Sequence, residues 1–260
     1  MTRLGDPNDS SKTRTVVCVA GCMRSGSSMI THILNICGMN LGAQIDLLEP
    51  DRTGNPAGYW ENVKFLQANK VIMQTIDEAS GKFTKQKAAN TARISSLEEA
   101  YMKAFEFLNT ELKGGFVGWK DPNNSFTVGF WKNVVPGLKV ILCVRNPFDV
   151  AMSISESPLH GLNFEQALQL WQQSTSCVYK AIGPQDLIIT HFENYFIRPE
   201  QEIHRLLQAL GVTPKPAAVG LAVKSIEPSL RHYLKFKKSG ASKDTVQNVN
   251  RLYQMLVSKE

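Results

Sequence analysis

No apolar run in this sequence approaches the roughly 20 residues that a helix needs to cross a bilayer. The opening residues, MTRLGDPNDSSKTR, lack the apolar stretch of a secretory leader. Cysteine is sparse too: five residues, an odd number with no CxxC pair, fit reduced thiols and point to a cytoplasmic protein. HExxH is missing, as is any carboxylate cage, so no metal is expected. Lys and Arg form no dense block interleaved with aromatics, which argues against nucleic acid and against a membrane surface as partners. There is no internal repeat and no low-complexity segment.

What is there is ordinary globular material. The chain has 260 residues, 43% hydrophobic and 20% charged, enough to bury one large core with little room for a second. Its net charge of +6 suits an anionic ligand.

The β-branched run Thr15–Ala20 reads as a buried strand, followed by a turn rich in Gly and Ser. Met29, Ile30, Ile33, Leu34 and Cys37 then fall at helical spacing, and Gly38 ends that helix. Residues 46–58 read as loop, and Val63, Leu66, Val71 and Ile72 outline a second helix. Lys82–Arg93 reads as a solvated surface excursion. Ser96-Leu97-Glu98-Glu99 has capping-box spacing ahead of Tyr101, Met102, Phe105, Leu108 and Leu112. Further strands are expected at 116–119, 139–144 and 187–192, with a helix over 164–180 between the last two. Pro199 opens another helix and Gly211 closes it. Val246, Val249, Tyr253 and Leu256 mark a closing amphipathic helix. Strands alternating with helices predict an α/β fold whose largely parallel sheet is covered on both faces. Residues 1–14 are expected to form a loose tail and 15–260 one domain, with 234–260 a basic C-terminal segment and helix.

Two strand–helix junctions hold the candidate chemistry. In Gly21-Cys22-Met23-Arg24-Ser25-Gly26-Ser27-Ser28, glycines let backbone N–H groups converge, while a helix N-terminus and serine hydroxyls add donors. That is a phosphate or sulfate cradle; the plainer alternative is a tight turn with serine caps. Gly21 and Gly26 satisfy GxxxxG, but Ser27 stands where a nucleotide-triphosphatase loop has its lysine, which argues against a kinase or NTPase. In the second junction, Arg145 ends the strand KVILCV, Pro147 suits a first helical turn, and Ser153 lies about two turns on. The planar guanidinium fits a terminal phosphate, although Arg145 and Asp149 also suit a local ion pair. Two anion sites on one sheet suit a nucleoside with phosphates at both ends.

Here the sequence resembles the sulfotransferases that use 3′-phosphoadenylyl sulfate (PAPS). CMRSGSS resembles their loop for the 5′-phosphosulfate, and CVRNPFDVAMSISE their 3′-phosphate segment. GWKDP is similar to a Lys-Asp-Pro element of the tyrosylprotein and related bacterial branches. ITHFENYFIRPEQEIHRLLQALGV resembles a strand, Tyr-Glu segment and helix of the family, and NPAGYWEN a loop frequent in bacterial members. These elements occur in family order across residues 15–233. Serines replace the usual threonines at 27 and 28, Phe192 stands in a tyrosine position, and the family's late basic segment has only a loose counterpart at Lys235–Gly240.

The resemblance implies a P-loop-like three-layer α/β/α fold and metal-free transfer of a sulfuryl group from PAPS, releasing adenosine 3′,5′-bisphosphate (PAP). It implies that residues 22–28 and Arg145 with Ser153 hold the nucleotide. Arg24 is the candidate for stabilising the bridging oxygen, with Lys120 as second cation unless it merely pairs with Asp121. Glu61, beside Trp60 and so partly desolvated, is the candidate general base; a helix N-terminal acid is the competing role. Glu49, Asp51 and His160 are the other base candidates, whereas His32, His191 and His204 fall in packing or surface patterns. A small soluble acceptor is expected, a natural product or a saccharide. A P-loop kinase or NTPase and a non-catalytic nucleotide binder are the alternatives.

Overall fold

The computed structural model describes residues 14–50, 58–79, 99, 102, 106, 108, 112–228 and 240–259. The expected tail up to residue 13, the excursion Lys82–Arg93, most of the expected helix over 96–112, Asp51, and Lys235, Lys237 and Lys238 lie outside the described residues.

Four strands, β1 (Thr15–Ala20), β2 (Phe116–Lys120), β3 (Lys139–Val144) and β4 (Leu187–His191), form one parallel sheet in the order β2-β1-β3-β4. Around it lie α1 (Ser27–Ile36), α2 (Val63–Ala79), α3 (Asn124–Val134), α4 (Pro147–Ser155), α5 (Phe164–Ala181), α6 (Asn194–Ile197), α7 (Pro199–Ala209), α8 (Pro216–Lys224) and α9 (Lys243–Val257). Alternation along the strands fills both faces, because successive side chains point to opposite sides. Val16, Cys18 and Ala20 with Val140, Leu142 and Val144 face Trp131 of α3, Trp171 of α5 and Val249 of α9. Val17, Val19, Ile141 and Cys143 face Ile30 and Leu34 of α1, Leu206 of α7 and Ala222 of α8. This is the three-layer α/β/α arrangement that the strand and helix pattern predicts.

Local sequence sets where the helices begin. Asn163 and Gln166 close a reciprocal capping box at the start of α5, at 2.9 and 3.0 Å. Pro147 occupies the first turn of α4, and the Asn146 side chain accepts the Phe148 N–H at 2.9 Å. Pro199 does the same for α7, and the Ser242 hydroxyl caps α9 on the Thr245 N–H at 3.3 Å.

Strand order fixes the location of the cleft. The chain leaving β1 goes to β2 on one side, and the chain leaving β3 goes to β4 on the other. The carboxyl ends of β1 and β3 therefore open a crevice between diverging connections, the usual ligand position in such sheets. Both junctions singled out above emerge there, with the end of β2 beside them.

Candidate active site

The turn after β1 is shaped by contacts that only glycine permits. At Gly21, φ is 143° and a Cβ would lie 2.7 Å from the Cys143 carbonyl oxygen; its N–H donates to Ser125 Oγ at 3.0 Å. At Gly26, φ is 84° and a Cβ would collide with the Phe192 ring. Arg24 between them takes φ 66°, left-handed backbone that is uncommon outside glycine. Helix α1 starts at Ser27 with no side-chain cap and no acid in its first turn. Its leading N–H groups are thus available to an external anion. The Ser25 hydroxyl is buried with no hydrogen-bond partner among the described residues, an unmet polar group inside the loop. A phosphosulfate fits this donor set. Met23, Arg24, Gly26, Ser27 and Ser28 line the cleft, whereas Cys22 and Ser25 are buried within the turn. Burial pushes the Cys22 thiol up to about 12, so it is no nucleophile at neutral pH.

The β3 junction touches the first directly. Arg145, only 6% exposed, donates from Nη1 to the Arg24 carbonyl at 3.2 Å, and its guanidinium lies 4.5 Å from the Phe192 ring centroid. Arg24 Nε donates to Ser153 Oγ at 2.9 Å. Glu193 holds the turn from outside, accepting the Asn146 N–H at 3.1 Å. Phe192, in the position where a tyrosine was noted above, thus packs between Gly26 and Arg145.

At the end of β2, Lys120 is 4% exposed; its Nζ pairs with Glu61 Oε1 and donates to Ser28 Oγ at 3.3 Å. The pairing of Lys120 with Asp121 allowed by the sequence is replaced by this one. Asp121 instead accepts from Asn69 Nδ2 at 2.7 Å and from the Asn123 N–H at 2.8 Å, and burial pushes its carboxyl pKa up. Asn124 ties the same layer to β1, donating to the Val19 carbonyl at 2.8 Å. Glu61 follows Trp60, whose φ of 57° is strained for so large a residue, at a typical cost of about 1–3 kcal/mol. The indole stacks on His32, with ring centroids 4.1 Å apart and planes 11° from parallel.

Together these groups line a cleft of about 560 Å³. Arg24, Ser27, Ser28, Glu61, Lys120, Arg145, Ser153 and His160 are brought together there. Glu49 is exposed in the loop before, His204 is exposed on α7, and His191 is buried at the end of β4. His32, which its sequence pattern assigned to packing or the surface, lines the cleft instead. The signal for it was its place one helical turn beyond Ser28, on the same face of α1. Burial lowers the pKa of His32, and burial followed by the Arg24 charge lowers that of His160. Among the described residues no helix is long and apolar enough to cross a membrane.

A model of the sulfotransferase family matches residues 17–216 of this sequence. Among solved structures, the sulfotransferase domain of the Synechococcus PCC 7002 olefin synthase is similar, with a TM-score of 0.57 at 13% identity over 96% of this chain and 98% of that one. The sulfotransferase domain from the curacin biosynthetic pathway gives 0.56 at 16% identity, covering 93% and 98% of the two chains. A Mycobacterium avium sulfotransferase gives 0.51 at 12% identity, covering 96% and 78%. At these identities the likeness is one of fold. No curated protein sequence matches the chain.

Proposed function

The chain belongs to the sulfotransferase family, and we propose that it transfers the sulfuryl group of PAPS to a hydroxyl or amine of a small acceptor, releasing PAP. Residues 15–260 are taken as one sulfotransferase domain in this proposal. The observation that supports it most is the meeting of two cationic junctions in one cleft: Arg145 bonded to the Arg24 carbonyl, and Arg24 to Ser153.

Arg145 and Ser153, on the β3 side, hold the 3′-phosphate and set register. The α1 N-terminus, Ser27 and Ser28 hold the 5′-phosphosulfate. PAPS supplies a sulfuryl group already joined to a phosphate leaving group. Arg24 neutralises the charge that develops on the bridging oxygen as the sulfur–oxygen bond breaks, and Lys120 neutralises that on the sulfuryl oxygens. In-line attack requires the acceptor to approach from the side opposite the leaving phosphate. Across the sheet, the end of β2 lies on the far side of β1 from β3, so the acceptor sits beside Lys120 and Glu61. Glu61 takes the acceptor's proton. His160, which feels the Arg24 charge, belongs to the leaving-group side and is the weaker base candidate.

One contact favours a second role for Glu61. Its Oε1 meets Lys120 Nζ, so it also orients that cation. In Glu61→Gln, loss of a base lowers kcat and removes an ionisation from the pH–rate profile. Loss of an orienting partner lowers kcat with the profile's shape retained.

The test of the whole proposal is transfer from 3′-phosphoadenylyl [³⁵S]sulfate to a panel of acceptors, beside calorimetric PAP binding. Wild type binds PAP and labels an acceptor without added Mg²⁺. Arg24→Ala stays folded and abolishes transfer, and Arg145→Ala stays folded and lowers kcat/KM for PAPS by about 100-fold; near-wild-type turnover in either removes the site assignment. Binding of PAP without turnover on any acceptor would identify a non-catalytic binder, and a Mg²⁺ requirement a kinase-like enzyme.

A further inference from the structure

Helix α2 meets the end of β2 through two kinds of contact. Phe65 lies on Trp119, with ring centroids 4.4 Å apart and planes 3° from parallel, and Trp131 is tilted against both. One helical turn further along α2, on the same face, comes Asn69, which is fully buried. Its Nδ2 donates to Asp121 Oδ2 at 2.7 Å and to Asn124 Oδ1 at 2.8 Å. Its Oδ1 accepts from Thr127 Oγ1 and from Trp131 Nε1, both at 2.7 Å. The two donors and two lone pairs of the amide are thereby all used. An indole N–H only donates, so the oxygen faces Trp131 and the nitrogen faces Asp121, in one orientation.

We infer that Asn69 is a positioning residue for sulfuryl transfer: it holds the end of β2 against α2 and so sets Lys120 opposite Glu61. This rests on the PAPS reading above, in which Lys120 serves the sulfuryl oxygens and Glu61 the acceptor.

Chain connectivity supports it. Asp121 directly follows Lys120 at the end of β2, and Glu61 stands two residues ahead of Val63, where α2 starts. The Lys120–Glu61 pair therefore joins the same two elements as the Asn69–Asp121 bond. Asp121 is held on both oxygens, since Oδ1 accepts the Asn123 N–H at 2.8 Å. Asn124 carries the layer on to β1, donating to the Val19 carbonyl at 2.8 Å and accepting from Trp119 Nε1 at 3.2 Å. Strands β1 and β2 and helices α2 and α3 are thus all referenced to one amide. The packing around it is otherwise apolar, with Phe65, Trp119, Val128 and Trp131 buried. Aliphatic side chains of similar volume throughout this seam would serve stability as well. They would also let the two elements slide, whereas directional bonds from a single oriented amide do not. Reacting groups supplied by separate elements depend on that register, because a misplacement of about 1 Å is enough to lower a rate 100-fold.

The experiment follows the label of 3′-phosphoadenylyl [³⁵S]sulfate into the best acceptor of the panel above and, with none present, into free sulfate. PAP affinity is measured in parallel by calorimetry. Asn69→Ala should lower kcat roughly 30-fold, with PAP affinity kept within about threefold. In a Lys120→Ala background the same substitution should cost less than about threefold, because the group it positions is gone. Asn69→Asp keeps the shape and the accepting oxygen but turns a second carboxyl toward Asp121, beside the charges of Glu61 and Lys120. Two carboxyls so close share a proton at low pH, restoring the bond, and repel when both ionise. The kcat of this variant relative to wild type should therefore rise roughly fivefold or more as pH falls from about 8 to about 6. That comparison also serves if the alanine variant does not fold. Wild-type kcat in folded Asn69→Ala, or a loss matched by an equal fall in PAP affinity, overturns the inference and spares the proposed function. So does the full loss repeated in the Lys120→Ala background, or a flat pH ratio for Asn69→Asp. Failure of wild type to bind PAP or to release label from PAPS is the separate result that ends the PAPS reading, and this inference with it.

Discussion

Gly26 shows how closely a single position can tie backbone shape to a site. Its φ of 84° opens α1, and a Cβ would enter the Phe192 ring on which Arg145 rests. Gly26→Ala is therefore expected to lower Tm by several degrees and to weaken PAP binding at least tenfold, checked by thermal melting and calorimetry; left-handed strain and the displaced ring act together. The histidines yield a second expectation at this scale. Burial holds His32 and His160 below the usual value of about 6.5, so the folded chain binds their protons less tightly than the unfolded one. Stability therefore falls as pH drops below about 6.5 and levels off once the pH is under the folded values. His32→Gln combined with His160→Gln should show a smaller loss of Tm between pH 7.5 and 5.5 than wild type. An equal loss would place the acid sensitivity elsewhere. The two histidines were not equally legible in the sequence. His160 follows a segment already marked by Arg145 and Ser153, whereas His32 sits in an otherwise apolar helical stripe whose inner and outer faces are distinguished only by what packs on α1.

At the scale of elements, the junctions matter more than the helices or strands they join. The two turns were legible because each breaks a β-branched run with residues that strands and helices do not otherwise favour: Gly21, Arg24 and Gly26 in one, Arg145, Asn146 and Pro147 in the other. What a linear reading could not supply is the pairing of Lys120 with Glu61, 59 positions away. That contact exists because β2 lies next to β1 and the chain leading into α2 crosses its end, a consequence of strand order. For the same reason Asp121, the nearer carboxylate, turns into the Asn69 layer instead. Glu193 is the element-scale test. It anchors the β3 turn from β4's exit through the Asn146 N–H. Glu193→Ala should cost about 1 kcal/mol of stability, and should weaken PAP roughly tenfold by letting Arg145 drift, whereas Glu193→Gln, which keeps an acceptor oxygen, should restore most of the affinity. Unchanged PAP affinity in Glu193→Ala would show that the turn holds its shape without this support.

For the whole molecule, four parallel strands in the order β2-β1-β3-β4 set three strand ends side by side, and the proposed function gives each its own part of the reaction. The fold class followed from alternation of strand and helix patterns, because a buried parallel sheet writes continuous β-branched runs such as TVVCVA and KVILCV. The order of the strands was not written there; the resemblance already assigned the leaving group to the turn after β1 and the 3′-phosphate to Arg145 after β3, and strand order adds the proposed place of the acceptor, beside β2. That assignment is the central claim, and adenosine 5′-phosphosulfate, which is PAPS without its 3′-phosphate, tests it most directly. The measurement is the ratio of kcat/KM for PAPS to that for adenosine 5′-phosphosulfate, in wild type and in Arg145→Ala. The account predicts a ratio of about 100 or more in wild type, the scale of a lost charge-assisted contact, and a collapse toward 1 in the variant, with the slow rate on adenosine 5′-phosphosulfate little changed. A variant that keeps the wild-type ratio, its rates on the two donors falling together, would contradict it.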